Sequence, residues 1–328
     1  MTGLHAKVKL KAELRSLLVL LDASQPAATL SRHSGINPLG PKGEKFMLDA
    51  KLLADVWEDL ENQNKTFFET GFEDLDCVLG IQEKKGAVIT IGARPAMGKT
   101  TFMLSVMENI LLKNKKCIYF SLEMSKEQLV KRFLFQRAEV SFLKSKLNNL
   151  VAKDWQKLAQ AMENLSKCDL KIDDNSGIKT EEIELAIKEL HPDVVFIDYF
   201  QLMEVSRRKD RFVQIEDIMK DLKRIAKENG VVIIIASQLS RAVENRYDKR
   251  PLLSDLRESG AIENISDVVI FLYRDEYYNS REEYDEFRPK GETEVIVAKN
   301  KFGACGAIRL TFKSNIPKFY GQIVESEF

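Results

Sequence analysis

The chain has 328 residues, of which 44% are hydrophobic, and its 50 Lys and Arg residues are balanced by 50 Asp and Glu residues. That apolar fraction excludes wholesale disorder and is large enough for a buried core. The zero net charge excludes a global attraction to nucleic acid, so any DNA contact has to come from local basic residues or from backbone amides.

The four cysteines and three histidines are scattered, and their spacing matches neither a zinc site nor a disulfide framework. The apolar run 17–21 is far shorter than a membrane span and ends at Asp22, which favours an amphipathic helix over a signal peptide. We therefore expect a cytoplasmic protein without a membrane contact.

Two short units are predicted before the main domain. Residues 1–48 are broken by Gly and Pro into pieces without a clear pattern. Residues 49–64 predict a helix, because Leu52, Val56 and Leu60 fall on one stripe. The pattern alone favours packing of this stripe on the chain's own core, and the alternative is docking on a neighbouring subunit. Residues 65–328 form the third unit.

Within that unit, short apolar runs alternate with helical patterns. The predicted strands are 87–91, 118–121, 194–198, 231–236 and 268–273. Runs that are apolar throughout and rich in β-branched residues are typical of strands buried on both faces of a parallel sheet. Helices are predicted from Lys99 and over 215–229, the second ending at Gly230.

The alternation predicts an α/β fold, in which helices cover both faces of a mostly parallel, twisted sheet. The end of the chain has a different pattern. Its apolar runs 294–298, 307–312 and 318–320 predict an antiparallel edge made of hairpins.

A phosphate-binding loop is predicted between the first strand and the first helix. Its residues are Ala93, Arg94, Pro95, Ala96, Met97, Gly98, Lys99, Thr100 and Thr101. Phosphate oxygens need donors without bulk, which backbone N–H groups at a helix N-terminus supply. Lys99 places a charge near the β- and γ-phosphates, and the Thr100 hydroxyl is placed to bind Mg²⁺. Gly-Lys-Thr alone is common by chance, but its strand–loop–helix context favours nucleotide binding.

Three polar residues follow predicted strands. Asp198 ends the third, where a carboxylate can hold Mg²⁺, although a lone acid there is more often a turn or a cap. Glu123 follows the second, where it can activate a water molecule or simply precede a helix capped by Ser125. Gln238 ends the fourth, where it can sense a γ-phosphate, but a polar residue leaving a sheet is equally common.

These motifs, taken in order, resemble those of DnaB-type replicative helicases. The matching segments are 92–100, 121–125, 196–203, 237–241, 249–251, 254–260 and 299–301. The resemblance covers about residues 65–320, and several motifs in order are more specific than a P-loop alone. It implies a RecA-like ATPase domain and a hexameric ring with ATP at each subunit interface. It also implies 5'-3' translocation on single-stranded DNA, with unwinding of the duplex during replication.

The resemblance assigns roles around the nucleotide. Glu123 is implied to be the catalytic carboxylate, Asp198 the Mg²⁺-linked acid and Gln238 the γ-phosphate sensor. Lys299 and Lys301 are implied to reach in trans to a neighbouring subunit's γ-phosphate.

The resemblance also implies two DNA-binding loops. Arg257, Glu258 and Gly260 belong to a segment that would contact single-stranded DNA, largely at its backbone. A basic cluster on a predicted loop fits a second pore loop, and its alternative is an ordinary solvated charge run. The cluster contains Arg207, Arg208, Lys209 and Arg211.

The chain departs from the family pattern at three points. Lys301 stands where the family usually has Arg, and Lys lacks the planar fork that binds a phosphate through two hydrogen bonds. Ala96 replaces the usual Ser. About 48 residues precede Asp49, too few for the family's helical N-terminal domain, so a primase contact is in doubt. A helicase loader is a candidate partner, and residues 49–64 resemble the family's linker helix.

Two alternatives stay open. The first is a RecA-like ATPase of recombination or regulation that does not unwind DNA, against which segments 254–260 and 238–241 favour the helicase. The second is a weakly active partner of a helicase ring, with which Lys301 and the short N-terminal region agree.

Overall fold

The computed structural model describes residues 67–203, 210–256, 260–278 and 291–321. Several predicted features lie outside the described residues. These are the N-terminal segment 1–48, the linker helix 49–64, the basic residues Arg207, Arg208 and Lys209, and the predicted DNA-binding residues Arg257 and Glu258.

The described residues form one nine-stranded sheet. Its strands are β1 (Ala87–Ala93), β2 (Cys117–Ser121), β3 (Leu170–Asp173), β4 (Val194–Asp198), β5 (Val232–Gln238), β6 (Val268–Tyr273), β7 (Glu292–Asn300), β8 (Gly306–Lys313) and β9 (Lys318–Tyr320). Their order across the sheet is β3-β2-β4-β5-β1-β6-β7-β8-β9. Strands β1 to β6 pair in parallel, and β7 to β9 pair antiparallel at the edge. The predicted mixed sheet is confirmed, and β3 is an addition to it.

Helices connect and cover these strands. They are α1 (Glu73–Leu79), α2 (Lys99–Leu112), α3 (Lys126–Arg137), α4 (Phe142–Lys146), α5 (Ala152–Ser166), α6 (Thr180–Leu190), α7 (Arg211–Asn229), α8 (Gly260–Ile265) and α9 (Asp275–Tyr278). Across the described ranges, none of these helices combines the length and the apolar character that a bilayer crossing requires.

Both faces of the sheet are buried, because successive side chains of a strand point to opposite faces. In β5, Ile234 packs in the cluster that contains Phe102 of α2. The adjacent Ile233 packs in the opposite cluster, with Leu222 and Ile225 of α7. A strand covered on both faces has no polar face, which explains why the predicted runs are apolar throughout.

The carboxyl end of α7 fits closely against the start of β1. Gly230 ends the helix with a left-handed φ of 64°, as predicted for its cap. Gly86, just before β1, has a φ of 68°, and a Cβ placed on it would lie 2.1 Å from the carbonyl oxygen of Ala226. Glycine is therefore required at this approach, which fixes α7 against the central strand.

The antiparallel edge supports the loop that follows β1. Phe319 of β9 is buried, and its ring lies 5.5 Å from the Phe102 ring of α2 and 5.0 Å from the Phe312 ring of β8. A Cβ placed on Gly98 would lie 3.3 Å from the Phe319 ring. The edge strand thus packs directly behind the start of α2.

We expect Phe319→Ala to lower the free energy of unfolding by about 3–5 kcal/mol, since it removes a buried aromatic ring and leaves a cavity. Denaturant unfolding followed by circular dichroism measures this. Tyr247→Ala is the matched control, because Tyr247 is fully exposed and should change stability little. Equal stability of the two variants would contradict the support that β9 gives to α2.

Candidate nucleotide-binding site

The loop between β1 and α2 turns sharply around its own backbone. Ala96 and Gly98 have left-handed φ values of 64° and 98°. The N–H of Met97 donates to the carbonyl of Arg94 at 3.3 Å, and the N–H of Phe102 donates to the carbonyl of Gly98 at 2.8 Å to begin α2. The first N–H groups of a helix have no partner within it, so this end of α2 can bind an anion.

The loop lines a cavity of about 210 Å³. The cavity is bounded by Arg94, Pro95, Ala96, Gly98, Lys99, Thr100, Thr101, Glu123, Arg132, Tyr199 and Gln238. Most of the residues predicted from sequence to act on a nucleotide within one chain therefore meet at one place. Parallel strands explain this, because their carboxyl ends lie along the same edge of the sheet.

Lys99 points back over the loop. Its Nζ donates to the carbonyl oxygen of Ala93 at 3.0 Å. Burial lowers the pKa of Lys99 below its ordinary value, and the nearby carboxylates of Asp198 and Glu123 oppose that shift. A phosphate anion beside the ammonium would favour the charged form further, which agrees with the predicted contact.

Asp198, only 5% exposed, connects its strand with helix α2 and strand β2 through one carboxylate oxygen. Its Oδ2 accepts from the Thr100 hydroxyl at 2.6 Å and from the Tyr119 hydroxyl at 2.9 Å. Burial, together with the negative charge of Asp198, raises the pKa of Tyr119 well above its ordinary value, so this phenol stays a donor.

The pair of Thr100 and Asp198 fits a Mg²⁺ site that phosphate and water complete. Hydroxyl and carboxylate oxygens are ligands that Mg²⁺ prefers, and Mg²⁺ usually binds through one or two carboxylates plus substrate phosphates. Across the ranges that the structure describes, no cluster of three His, Cys, Asp or Glu residues could hold a metal by itself. The donor set therefore agrees with a cation that arrives with a nucleotide.

Glu123 is positioned by backbone contacts with Asp198. The N–H groups of Leu122 and Glu123 donate to the carbonyl oxygen of Asp198 at 2.8 and 3.3 Å. Ser125 caps α3 by accepting from the N–H of Gln128 at 3.4 Å. Glu123 therefore precedes a capped helix, as the simpler interpretation held, and also lines the cavity, as the catalytic one requires.

Gln238 lies directly beside the start of the loop, because it is the register partner of Ala93. Arg94 is engaged with the segment that follows Gln238. Its guanidinium donates to the carbonyl of Leu239 at 2.8 Å and to Glu244 Oε1 at 2.9 Å. Because the guanidinium of Arg94 is already paired, we expect Arg94 to contact a ligand through its backbone. The Met97 side chain is buried in the core, so the same holds for Met97.

Arg132 of α3 is a cavity residue that the sequence did not single out. Its side chain has no hydrogen bond or ion pair within the described ranges of the chain. It is one of several charged residues on α3, so no pattern distinguished it. Tyr199 also lines the cavity and was noted only as part of a matching segment.

Lys299 and Lys301 lie near the amino ends of the parallel strands, whereas the cavity lies at their carboxyl ends. Lys299 pairs with Val269 near the amino end of β6, and the N–H of Lys301 donates to the carbonyl of Asp267 at 3.0 Å. Asp267 lies beside Val88, near the amino end of β1. From Val88 to Ala93 this strand extends about 17 Å at ~3.3 Å per residue. Neither lysine reaches its own chain's cavity, which agrees with the predicted action on a neighbouring subunit.

The flanks of the two predicted DNA-binding loops lie side by side. Gly260 begins α8, and a Cβ placed on it would lie 3.8 Å from the ring of Phe212 near the start of α7. Arg211 is the first residue of α7 and was wrongly predicted to lie on a loop. The helix begins there because extended backbone ends at Asp210, which has φ −58° and ψ 146°.

Residues 68–321 match the family model of the DnaB-like helicase C-terminal domain. The chain belongs to this family. It is 44% identical over 265 residues to a probable replicative DNA helicase of Trieres chinensis, covering 78% of this chain. It is 40% identical over 275 residues to the replicative DNA helicase DnaC of Bacillus subtilis, covering 81% of this chain. The chain spans 57% and 59% of the length of these two relatives, so it corresponds to part of such proteins.

Solved structures of the family agree with the fold. The ATPase domain of G40P is 35% identical with a TM-score of 0.76, and the match covers 83% of this chain and 98% of that one. A DnaB-like replicative helicase, described with its interactions with primase, is 36% identical with a TM-score of 0.77, covering 84% and 69%. The resemblance seen in the sequence is confirmed.

We expect Arg132→Gln to weaken ATP binding about tenfold, because a hydrogen bond to a charged group contributes roughly 1.5 kcal/mol or more. Titration with a fluorescent ATP analogue measures the dissociation constant. Lys131→Gln is the control, since Lys131 lies over the Phe142 ring, 5.6 Å from its centroid. If both variants bind like the wild type, Arg132 does not contact the nucleotide.

Proposed function

We propose that this chain is the ATP-hydrolysing motor of a replicative DNA helicase. The observation that carries the proposal is the meeting of Lys99, Glu123 and Gln238 around one cavity in a DnaB-family fold. Asp198 is bonded to Thr100, which lines the same cavity. The motor moves 5'-3' along single-stranded DNA and separates the duplex during replication, in the cytoplasm.

ATP binds with its phosphates over the amino end of α2. Backbone N–H groups of residues 93–101 and the Lys99 ammonium hold the β- and γ-phosphates. Thr100 and Asp198 are the residues that hold Mg²⁺, which neutralises phosphate charge when it is bound. The preformed contact between Thr100 and Asp198, 2.6 Å long, supports this assignment.

Glu123 acts on the water molecule. It orients the water and accepts its proton while the water oxygen bonds to the γ-phosphorus and the bond to the bridging oxygen breaks. Gln238 reports the presence of the γ-phosphate to the segment that follows β5. Its place beside Ala93, and the engagement of that segment by Arg94, support this role.

The complete site needs a neighbouring chain. Ligand pockets usually enclose about 300–1,000 Å³, whereas the cavity within one chain encloses about 210 Å³. Lys299 and Lys301 lie at the far edge of the sheet and so can serve only another chain's nucleotide. These two observations support a ring, and the family resemblance makes it a hexamer. Lys301 in place of Arg predicts slower hydrolysis than in a ring with Arg there.

DNA binds through the two predicted loops. Arg257, Glu258 and Gly260 form one contact segment, and Arg207 and Arg208 form the other. The adjacency of Gly260 and Phe212 supports a common binding surface, because both loops leave the described fold at neighbouring points. A helicase loader is a further partner, whereas the primase interactions described for a solved relative are not proposed for this chain.

We expect single-stranded DNA to increase the rate of ATP hydrolysis at low salt, on protein whose mass in solution corresponds to a hexamer. Low salt matters because phosphate contacts weaken steeply as salt rises. Lys99→Ala should lose turnover, and a forked duplex should be separated only by the wild type. A monomer or dimer that binds ATP without a response to DNA would favour the regulatory or ring-partner alternatives.

We expect Arg257→Ala to weaken binding of single-stranded DNA while ATP binding without DNA is unchanged. Removing one arginine–phosphate interaction should reduce the slope of log affinity against log salt by about 0.7. Arg309→Ala is the control, because Arg309 is an exposed arginine on β8. Equal loss of DNA and ATP binding would mean that Arg257 is not part of a DNA-binding loop.

A further inference from the structure

A buried carboxylate holds one of the two lysines at the amino edge of the sheet. Asp267 has a side chain that is 3% exposed. Its Oδ2 accepts from Lys223 Nζ at 2.5 Å and from the N–H of Val88 at 2.9 Å. Its Oδ1 accepts from Lys301 Nζ at 3.3 Å. Asp267 therefore pairs with two cations that come from different elements, α7 and the end of β7.

The other lysine holds the carboxyl end of α8. Lys299 Nζ donates to the carbonyl oxygen of Glu263 and, at 3.1 Å, to that of Asn264. The last carbonyls of a helix lack partners within it and carry partial negative charge, so a cation is favourable there. Burial lowers the pKa of Lys299, and the neighbouring charge of Lys301 acts in the same direction while Asp267 opposes both.

These contacts connect the lysines to both helices that follow the predicted DNA-binding loops. α7 begins at Arg211 after one loop and carries Lys223, whereas α8 begins at Gly260 after the other loop. Helix α7 lies between the carboxyl end of β4 and the amino end of β5 in the chain, and α8 leads into the amino end of β6. Each helix therefore follows a predicted DNA-binding loop. Further along, α7 contacts Asp267 through Lys223, and α8 contacts Lys299 through its last carbonyls.

We propose that Asp267 is a positioning residue that links DNA binding to the nucleotide site of the neighbouring subunit. Lys301 is shared between Asp267 of its own chain and the neighbour's γ-phosphate. This inference rests on the proposed function, because it requires that the two lysines act in trans.

The charges explain why Lys301 is the cation that can leave. A buried carboxylate must keep a partner, since an uncompensated buried charge is strongly destabilising. Lys223 supplies that partner at the shorter distance and is 30% exposed, whereas Lys301 is 45% exposed. Departure of Lys301 leaves a neutral pair of Lys223 and Asp267. The γ-phosphate of the neighbouring subunit therefore competes with the electrostatic attraction between Asp267 and Lys301.

The link to DNA follows from the shared contacts. DNA bound at the loops shifts α7 and α8, and so changes how Lys223 and the end of α8 hold Asp267, Lys299 and Lys301. Any shift that loosens this hold makes the lysines available to the neighbour's nucleotide. By thermodynamic reciprocity, a nucleotide that takes the lysines then favours DNA binding by the same factor.

The test measures affinity for the non-hydrolysable ATP analogue adenylyl-imidodiphosphate on the assembled protein, with and without oligo-dT. In the wild type we expect DNA to increase the affinity at least about fivefold, the lower end of allosteric couplings. In Asp267→Asn the affinity without DNA should already approach the DNA-bound value, so the coupling factor falls toward one. Thermal unfolding checks that the variant is folded.

For a second variant, we expect the affinity without DNA to change in the opposite direction. Lys223→Gln leaves Lys301 as the remaining side-chain cation on Asp267, so the affinity without DNA should fall below that of the wild type. General loss of structure would not move the two variants in opposite directions. Glu184→Gln is the control, because it breaks the 2.7 Å pair with Arg224, also on α7, without touching the cluster.

The outcomes separate the two proposals. A wild type without any coupling between DNA and nucleotide contradicts the proposed function itself. Coupling in the wild type that persists unchanged in Asp267→Asn and Lys223→Gln overturns the role of Asp267. Equal loss of affinity with and without DNA in both variants shows that Asp267 supports the structure only.

Discussion

The hydrogen bond from Thr100 to Asp198 is the contact that holds the candidate nucleotide site together. Asp198 is buried, so its carboxylate needs donors, and it takes them from the P-loop helix and from Tyr119 of β2. Its carbonyl oxygen accepts from Leu122 and Glu123. One residue thus fixes the relative positions of the phosphate loop, the proposed metal ligands and the proposed catalytic carboxylate.

The sequence predicts the centre of the fold better than its edges. Central strands are apolar on both faces because helices cover both, so β1, β4 and β6 stand out as continuous apolar runs. β3 does not, since it is a four-residue edge strand in which Lys171 is exposed and the other residues are half-buried. Such a segment has the pattern of a loop. The start of α7 was misjudged because basic residues continue from the predicted loop into the helix.

The same physical reasons explain which residues of the site could be predicted from the sequence and which could not. Asp198, Glu123 and Gln238 could be placed together because each follows a parallel strand, and such ends meet at one edge. Arg132 reaches the cavity from the middle of a helix, and the engagement of Arg94 depends on Glu244, 150 residues further along the chain. Contacts of that kind depend on tertiary packing that no local pattern encodes. The catalytic and DNA-binding roles themselves stay predictions.

Strand polarity explains why the two proposed parts of the nucleotide site lie at opposite ends of the strands. The candidate nucleotide cavity lies at the carboxyl ends of the parallel strands, whereas the antiparallel β7 brings Lys299 and Lys301 to their amino ends. A subunit with complementary surfaces at two different places associates head to tail, and such contacts close into a ring when the rotation allows it. Because α7 carries Lys223 and the end of α8 contacts Lys299, both helices connect the predicted DNA-binding loops with the lysines that we propose act on the next subunit.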